Sequence, residues 1–257
     1  MLVKCKMVIF MDVKGRVAIV TGASMGIGYA TAKLLSSKGA KLALVARSKD
    51  KLDKLARELP DAIAVQADMS KPDDVINMIK TVVTHFGAID ILVNNAGVGY
   101  DASVEKTHVC NFQYIFELDV LGPAVAMKEA IPVMRMQGGG AIVNVSSGTA
   151  LMQLPEMGAY SAMKAALAQF SLTAREELKE DNISVSVVYP YITLTDFEKN
   201  TIKESAVEEQ TEETIEGQQA WAKADTAEHV AQLILDAIET GKAEVFAFDW
   251  MKRRPPK

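Results

Sequence analysis

Thr21-Gly22-Ala23-Ser24-Met25-Gly26-Ile27-Gly28 follows the apolar run Arg16-Val17-Ala18-Ile19-Val20, and this junction decides the fold. A β-branched run that ends in three closely spaced glycines, with helical periodicity resuming after them, reads as a strand, a tight turn and a helix. Glycines let the backbone turn sharply and approach a ligand, while the free N–H groups of the helix's first turn face an anion. The spacing is G-x-x-x-G-x-G rather than the commoner G-x-G-x-x-G. On the first strand of a chain that alternates strand and helix, such a turn cradles a dinucleotide pyrophosphate. Gly22, Ser24, Met25, Gly26, Ile27 and Gly28 are therefore expected to line the phosphates.

Working outward, residues 16–20, 41–45, 62–65, 90–93, 141–145, 184–188 and 244–248 are apolar, β-branched-rich runs and read as seven buried strands. Residues 27–38, 72–85 and 226–240 carry apolar side chains at helical spacing, and Gly39, Gly87 and Gly241 follow as stops. The alternation predicts an α/β fold: a doubly wound, seven-stranded parallel sheet with helices on both faces. No repeat or linker divides it, so one domain is expected over 11–250. Residues 1–10 form an extension, because Met11-Asp12-Val13-Lys14-Gly15 can itself open the domain, and 251–257 form a short basic tail. The stretch 191–225 is expected to be a substrate loop or lid. Its part from Asp196 to Ala224 is rich in Glu and Thr, and a solvated helical excursion would read the same way.

Bulk properties exclude several classes. A net charge of −5 gives no electrostatic reason to expect nucleic acid. Cys5 and Cys110 make neither a disulfide framework nor a metal-ligand spacing. His85, His108 and His229 match no hydrolytic triad or zinc motif, so no metal is expected. No stretch approaches the roughly 20 apolar residues of a membrane span. A cytoplasmic protein without membrane contact is the expectation.

Two further positions carry chemistry. At the end of the second strand, where an acid would bind a ribose 2′-hydroxyl, the chain has Arg47-Ser48, and an arginine pairs instead with a 2′-phosphate. NADP(H) is therefore expected over NAD(H), which stays possible. Downstream, Tyr160-Ser161-Ala162-Met163-Lys164 lies thirteen residues after Ser147. Tyr160 and Lys164, four apart, share a helix face. A free phenol has a pKa near 10, and a neighbouring ammonium lowers it. In a reduction, Tyr160 would protonate a developing alkoxide while a serine hydroxyl at the strand end, Ser146 or Ser147, hydrogen-bonds the carbonyl oxygen.

Together, the glycine turn, Asn94-Asn95-Ala96-Gly97, Ser147 and the Tyr160/Lys164 pair resemble the short-chain dehydrogenase/reductase family, in order and spacing, from about Val13 to Phe248. The resemblance implies a Rossmann-type domain, a nicotinamide cofactor and a homodimer or homotetramer, with the fourth and fifth helices at the interface. By position it places Asp68 and Met69 at the adenine. Asn94, Asn95, Ala96 and Gly97 fall along the cofactor wall, Lys164 at the ribose, and Pro190, Ile192 and Thr195 at the nicotinamide end. The loop bearing Met152, Leu154 and Met157 would border an apolar substrate pocket. The chain departs from the family at three positions. Met25 replaces the basic residue of many NADP-preferring relatives, and Tyr191 replaces a glycine. Asp119 stands where relatives carry the asparagine that holds a relay water; Asn111, eight residues upstream, does not match that spacing. An ionised Asp119 would engage Lys164 and oppose phenolate formation at Tyr160. The expected function is an NADP(H)-preferring oxidoreductase interconverting a ketone or aldehyde with its alcohol. Its small-molecule substrate is left open among 3-oxoacyl thioesters, sugars, steroids and small ketones. The alternative is a cofactor-binding regulator or scaffold whose chemistry Asp119 impairs.

Overall fold

The computed structural model describes residues 11–204 and 224–252. The expected extension 1–10, most of the acidic stretch in the lid and the last five residues lie outside them.

Strand β1 (Val17–Thr21) is entirely buried, and its side chains alternate between two cores. Val17 and Ile19 face one apolar cluster, and Ala18 and Val20 the other. Strand β2 (Lys41–Ala46) repeats the division, with Ala43 and Val45 on the first side and Leu42 and Leu44 on the second. A strand apolar at every position needs cover on both faces, which accounts for continuous runs in place of an alternating pattern. With β3 (Ala62–Gln66), β4 (Ile91–Asn94), β6 (Gly140–Val145), β7 (Ile183–Tyr189) and β11 (Glu244–Phe246) they form the central sheet. Its order is β11-β7-β6-β4-β1-β2-β3, and every neighbouring pair is parallel. The seven-stranded α/β architecture is thus as the alternation predicts, with the last strand shorter.

One face carries α1 (Gly26–Ser37), α2 (Lys49–Glu58) and α7 (Ala227–Thr240); the other carries α3 (Pro72–Phe86), α5 (Gly122–Gln137) and α6 (Gly158–Glu177). Helix α3 opens with Pro72 and two aspartates in its first turn and stops at Gly87, at φ +75 in the left-handed region. Helix α4 (Val109–Phe116) runs through a π turn at Glu117–Leu121 directly into α5. Two short parallel bridges lie beyond the sheet's C-terminal edge: β5 (Tyr100–Asp101) with β9 (Ile202–Lys203), and β8 (Thr193–Leu194) with β10 (Asp225–Thr226). Met251 is buried in an apolar cluster with Val187 and Tyr189, so packing continues past residue 250 into the start of the expected tail.

Strand order reverses direction between β1 and β4, which opens a crevice at the C-terminal edge. The loops after β1, β4, β6 and β7 meet there.

Candidate active site

At the crevice floor the buried hydroxyl of Thr21 ties two strand ends together. It donates to the Val93 carbonyl at 3.3 Å and accepts from the Asn95 and Ala96 N–H groups at 2.9 and 3.0 Å. Asn95 Nδ2 returns to the Thr21 carbonyl at 2.9 Å. The glycine turn is packed against this knot. Gly22 has φ +70, and a Cβ there would stand 2.7 Å from Asn95 Nδ2; a Cβ on Gly28 would collide with the Gly22 carbonyl. Gly26, at φ +54, lies under the Thr195 side chain. Helix α1 begins with no side-chain cap at Met25 and no acid in its first turn. Its first N–H groups are therefore left to an anion, and the donor set fits a pyrophosphate. Ser24, Met25 and Ile27 are half-buried around the same turn.

Arg47 and Ser48 are exposed past the end of β2, and Arg47 Nη1 donates to the Tyr114 hydroxyl at 3.1 Å. Asp68 accepts from the Ser70 N–H and hydroxyl at 3.0 and 2.8 Å, and Met69 is buried beside it. The Met69 carbonyl abuts Gly122, where a Cβ has no room. Asn94 departs from its expected place. Its amide donates to Asn144 Oδ1 at 2.8 Å inside the sheet, so it ties β4 to β6 instead of facing the crevice.

Tyr160 and Lys164, on one face of α6, are 6% and 4% exposed. Ser146 is buried and donates to the Lys164 carbonyl at 2.9 Å, which fixes the strand end to the helix and leaves Ser147 as the half-buried hydroxyl at the crevice. Ser147 Oγ accepts from the Thr149 N–H at 3.2 Å and hydroxyl at 3.0 Å. With its lone pairs engaged by Thr149, its own proton is directed outward, toward the Tyr160 phenol. Thr149 is a functional neighbour that the sequence reading missed; a polar side chain two residues after a serine was its only signal. Pro190 accepts from the Gly148 N–H at 2.7 Å, Ile192 accepts from the Asp225 N–H at 2.7 Å, and Thr195 sits over Gly26. The loop after β7 is thereby brought to both the serine and the glycine turn. Tyr191 packs edge-on to Phe248 and Trp250, with ring centres 5.9 and 5.3 Å away.

Asp119 lies in the π turn, 0% exposed, with Oδ1 3.7 Å from Lys164 Nζ. Only a glycine fits at 97, because a Cβ there would stand 2.5 Å from Asp119 Oδ1 and 3.0 Å from Lys164 Nζ. Neither Asp119 oxygen has a hydrogen-bond partner at ordinary geometry among the described residues. Burial raises its pKa to about 6 against the pull of Lys164. Lys164 also donates to the Val145 carbonyl at 3.3 Å. The Tyr160 phenol, expected to be acidified by Lys164, is instead pushed up. Burial is the main cause and the Asp119 carboxylate the second, while the Ser147 hydroxyl pulls it down and Asp101 pushes it up. The physical reason is burial of the phenol, to which the Asp119 carboxylate adds, and the Lys164 ammonium, itself facing Asp119, does not overcome them.

Residues 16–206 match the family model for short chain dehydrogenases. Among curated proteins, 249 residues are 34% identical to 11-beta-hydroxysteroid dehydrogenase-like 2 of Arabidopsis thaliana, covering 95% of this chain and 77% of that protein. Over 190 residues the chain is 36% identical to the 3-oxoacyl-[acyl-carrier-protein] reductase of a Synechocystis strain, covering 72% of this chain and 77% of that one. The chain spans about half (52%) of the Arabidopsis 11-beta-hydroxysteroid dehydrogenase 1A, 39% identical over 182 residues that make up 68% of this chain. Among solved structures, the L-sorbose reductase of Gluconobacter frateurii with NADPH and L-sorbose superposes at a TM-score of 0.80 with 30% identity, covering 92% of this chain and 97% of that chain. A Burkholderia phymatum enzyme of the same family, in complex with NAD, superposes at 0.82 with 25% identity, covering 94% and 92% of the two chains. The seven-stranded fold, the glycine turn at its switch point and the matched residues agree: this chain belongs to the short-chain dehydrogenase/reductase family of nicotinamide-dependent oxidoreductases.

Proposed function

We propose that the chain is an NADP(H)-preferring oxidoreductase that interconverts a ketone or aldehyde with its alcohol, with Tyr160 as the proton-transfer group. The observation that carries this reading is the convergence of Ser147, Tyr160 and Lys164 at the crevice that also holds the uncapped glycine turn. A bound nicotinamide supplies or accepts the hydride. Ser147, its lone pairs engaged by Thr149, donates to the substrate oxygen and steadies its growing charge. Tyr160 gives that oxygen a proton in reduction and removes it in oxidation. Lys164 holds positive charge beside the phenol, and Asp119 opposes it when ionised. Gly22, Gly26 and Gly28 bring the backbone close to the pyrophosphate, with Asn95, Ala96 and Gly97 along its wall.

The NADP(H) preference rests on Arg47 and on the lack of an acid at the end of β2. Solved relatives hold NADPH in one case and NAD in another, so they support a nicotinamide cofactor of either kind. A small-molecule carbonyl is the partner, and its identity among acyl thioesters, sugars, steroids and small ketones is open. Self-association as a homodimer or homotetramer is supported by the exposed Val109, Phe112 and Phe116 on α4 and Phe170 on α6. Among the described residues no helix is long and apolar enough to cross a membrane.

The test is NADPH and NADH oxidation by the purified protein across a panel of ketones, with Tyr160→Phe alongside. The expected outcome is turnover that falls roughly 10²–10⁴-fold in the variant while cofactor binding is kept. Cofactor binding without turnover in either protein would instead favour a regulator.

A further inference from the structure

We propose that Phe197 sets the substrate preference of this site toward neutral, apolar carbonyl compounds, and that Tyr100, Asn111 and Glu204 form the latch that positions it. The proposal rests on the reading of Tyr160 as the proton-transfer group.

Phe197 belongs to the arch between the two short bridges beyond the sheet. Its ring centre lies 6.0 Å from that of Tyr160, tilted by 53°, and the residue is 37% exposed. It therefore presents an apolar surface beside a buried phenol and keeps part of that surface exposed. The arch comes this close because position 99 is glycine. A Cβ there would stand 3.0 Å from Phe197 Cε1 and would collide with the Thr201 hydroxyl.

Two sets of bonds hold the arch down. In the β5–β9 bridge, Ile202 N–H donates to the Gly99 carbonyl at 3.0 Å and Glu204 N–H donates to the Asp101 carbonyl at 3.1 Å. Beyond it, Glu204 Oε1 accepts from the Tyr100 hydroxyl at 3.0 Å and from Asn111 Nδ2 at 2.5 Å. Tyr100 is wholly buried, and its oxygen also accepts from the His108 N–H at 2.8 Å. One carboxylate thus fastens the arch to both β5 and α4. Phe197 is not free to swing away while that fastening holds.

An apolar ring against the reacting phenol discriminates by desolvation. A charged or polyhydroxylated substituent packed on that ring loses water without gaining a partner from the ring, whereas an apolar one loses nothing. On the loop after Ser147, Met152, Leu154 and Pro155 line an open groove of about 530 Å³, together with Thr149, Gln153 and Ser161.

The experiment compares wild type, Phe197→Ala, Phe197→Leu, Glu204→Ala and Glu204→Gln on an aryl methyl ketone and a polyhydroxylated ketone. It reads kcat and KM with NADPH, and calorimetric binding of each ketone to the NADP+-bound protein. Phe197→Ala is expected to lower kcat/KM and affinity for the aryl ketone about tenfold while changing the polyhydroxylated ketone less than twofold. Phe197→Leu, which keeps apolar bulk, should retain most of the preference. Glu204→Ala should raise KM for the aryl ketone several-fold with kcat nearly unchanged, and Glu204→Gln, which keeps an acceptor oxygen, should restore it. Equal changes for both ketones, or a wild-type preference for the polyhydroxylated one, would overturn the proposal. Phe197-dependent aryl-ketone binding without any turnover would uphold the preference and sink the proton-transfer reading instead.

Discussion

Thr21 and Asp119 are buried polar residues on either side of the same crevice, and their surroundings are opposites. Thr21, 1% exposed, has its hydroxyl engaged by one carbonyl and two backbone N–H groups. Asp119, 0% exposed, has one cation at 3.7 Å and the Val98 backbone N–H to hold its charge, and neither of its oxygens makes a hydrogen bond of ordinary geometry among the described residues. A fully satisfied buried group fixes geometry and has nothing left to give. A buried carboxyl with little to offset its desolvation is costly when charged, so it holds its proton to higher pH than an exposed one. In the proposed enzyme the first belongs to the part of the crevice that would hold a cofactor still, and the second to the part where protons would move.

Substitutions at the two positions should separate these roles. The larger effect is expected at Asp119. Its carboxyl is raised from the ordinary 3.8 to about 6, so the folded state binds the proton more tightly than the unfolded chain. That contribution to stability is fully present below pH 3.8 and is lost as pH rises through about 6. Asp119→Asn, which cannot ionise, should therefore match the wild type in acid and exceed it at pH 7–8, by up to about 3 kcal/mol. Urea unfolding of both proteins from pH 4 to 8 checks this, and parallel curves would contradict it. A smaller effect of opposite sign is expected from Thr21→Val, which keeps the shape and orphans the Asn95 and Ala96 N–H groups. The loss should be about 2 kcal/mol, with little pH dependence, in the same unfolding series.

How much of this was legible beforehand follows the same division. The strands announced themselves because a sheet covered on both faces demands apolar residues at every position, and each of the seven runs falls in the sheet. The glycine turn and the Tyr160/Lys164 pair were readable because their geometry is local: a turn, and one helix face. What escaped was non-local. The π turn at Glu117–Leu121 is a shift of backbone hydrogen bonds with no signature in apolar spacing, yet it lies where Asp119 meets Lys164. The two-residue bridges that seat Phe197 beside Tyr160 are too short to show a period. Asn94 looked like a wall residue because its neighbours are, and only the β4–β6 register shows it facing Asn144. The amphipathic α2 passed without notice between two strands.

The most direct test is the pH dependence of kcat/KM for alcohol oxidation in the wild type and Asp119→Asn. In the proposed mechanism oxidation needs the Tyr160 phenol deprotonated, and the Asp119 carboxylate pushes that event to higher pH. The rising limb is predicted to move to lower pH in the variant, with turnover near neutrality preserved or increased. A limb that stays in place, or moves upward, would contradict the assignment of Asp119 as the charge that opposes proton release from Tyr160.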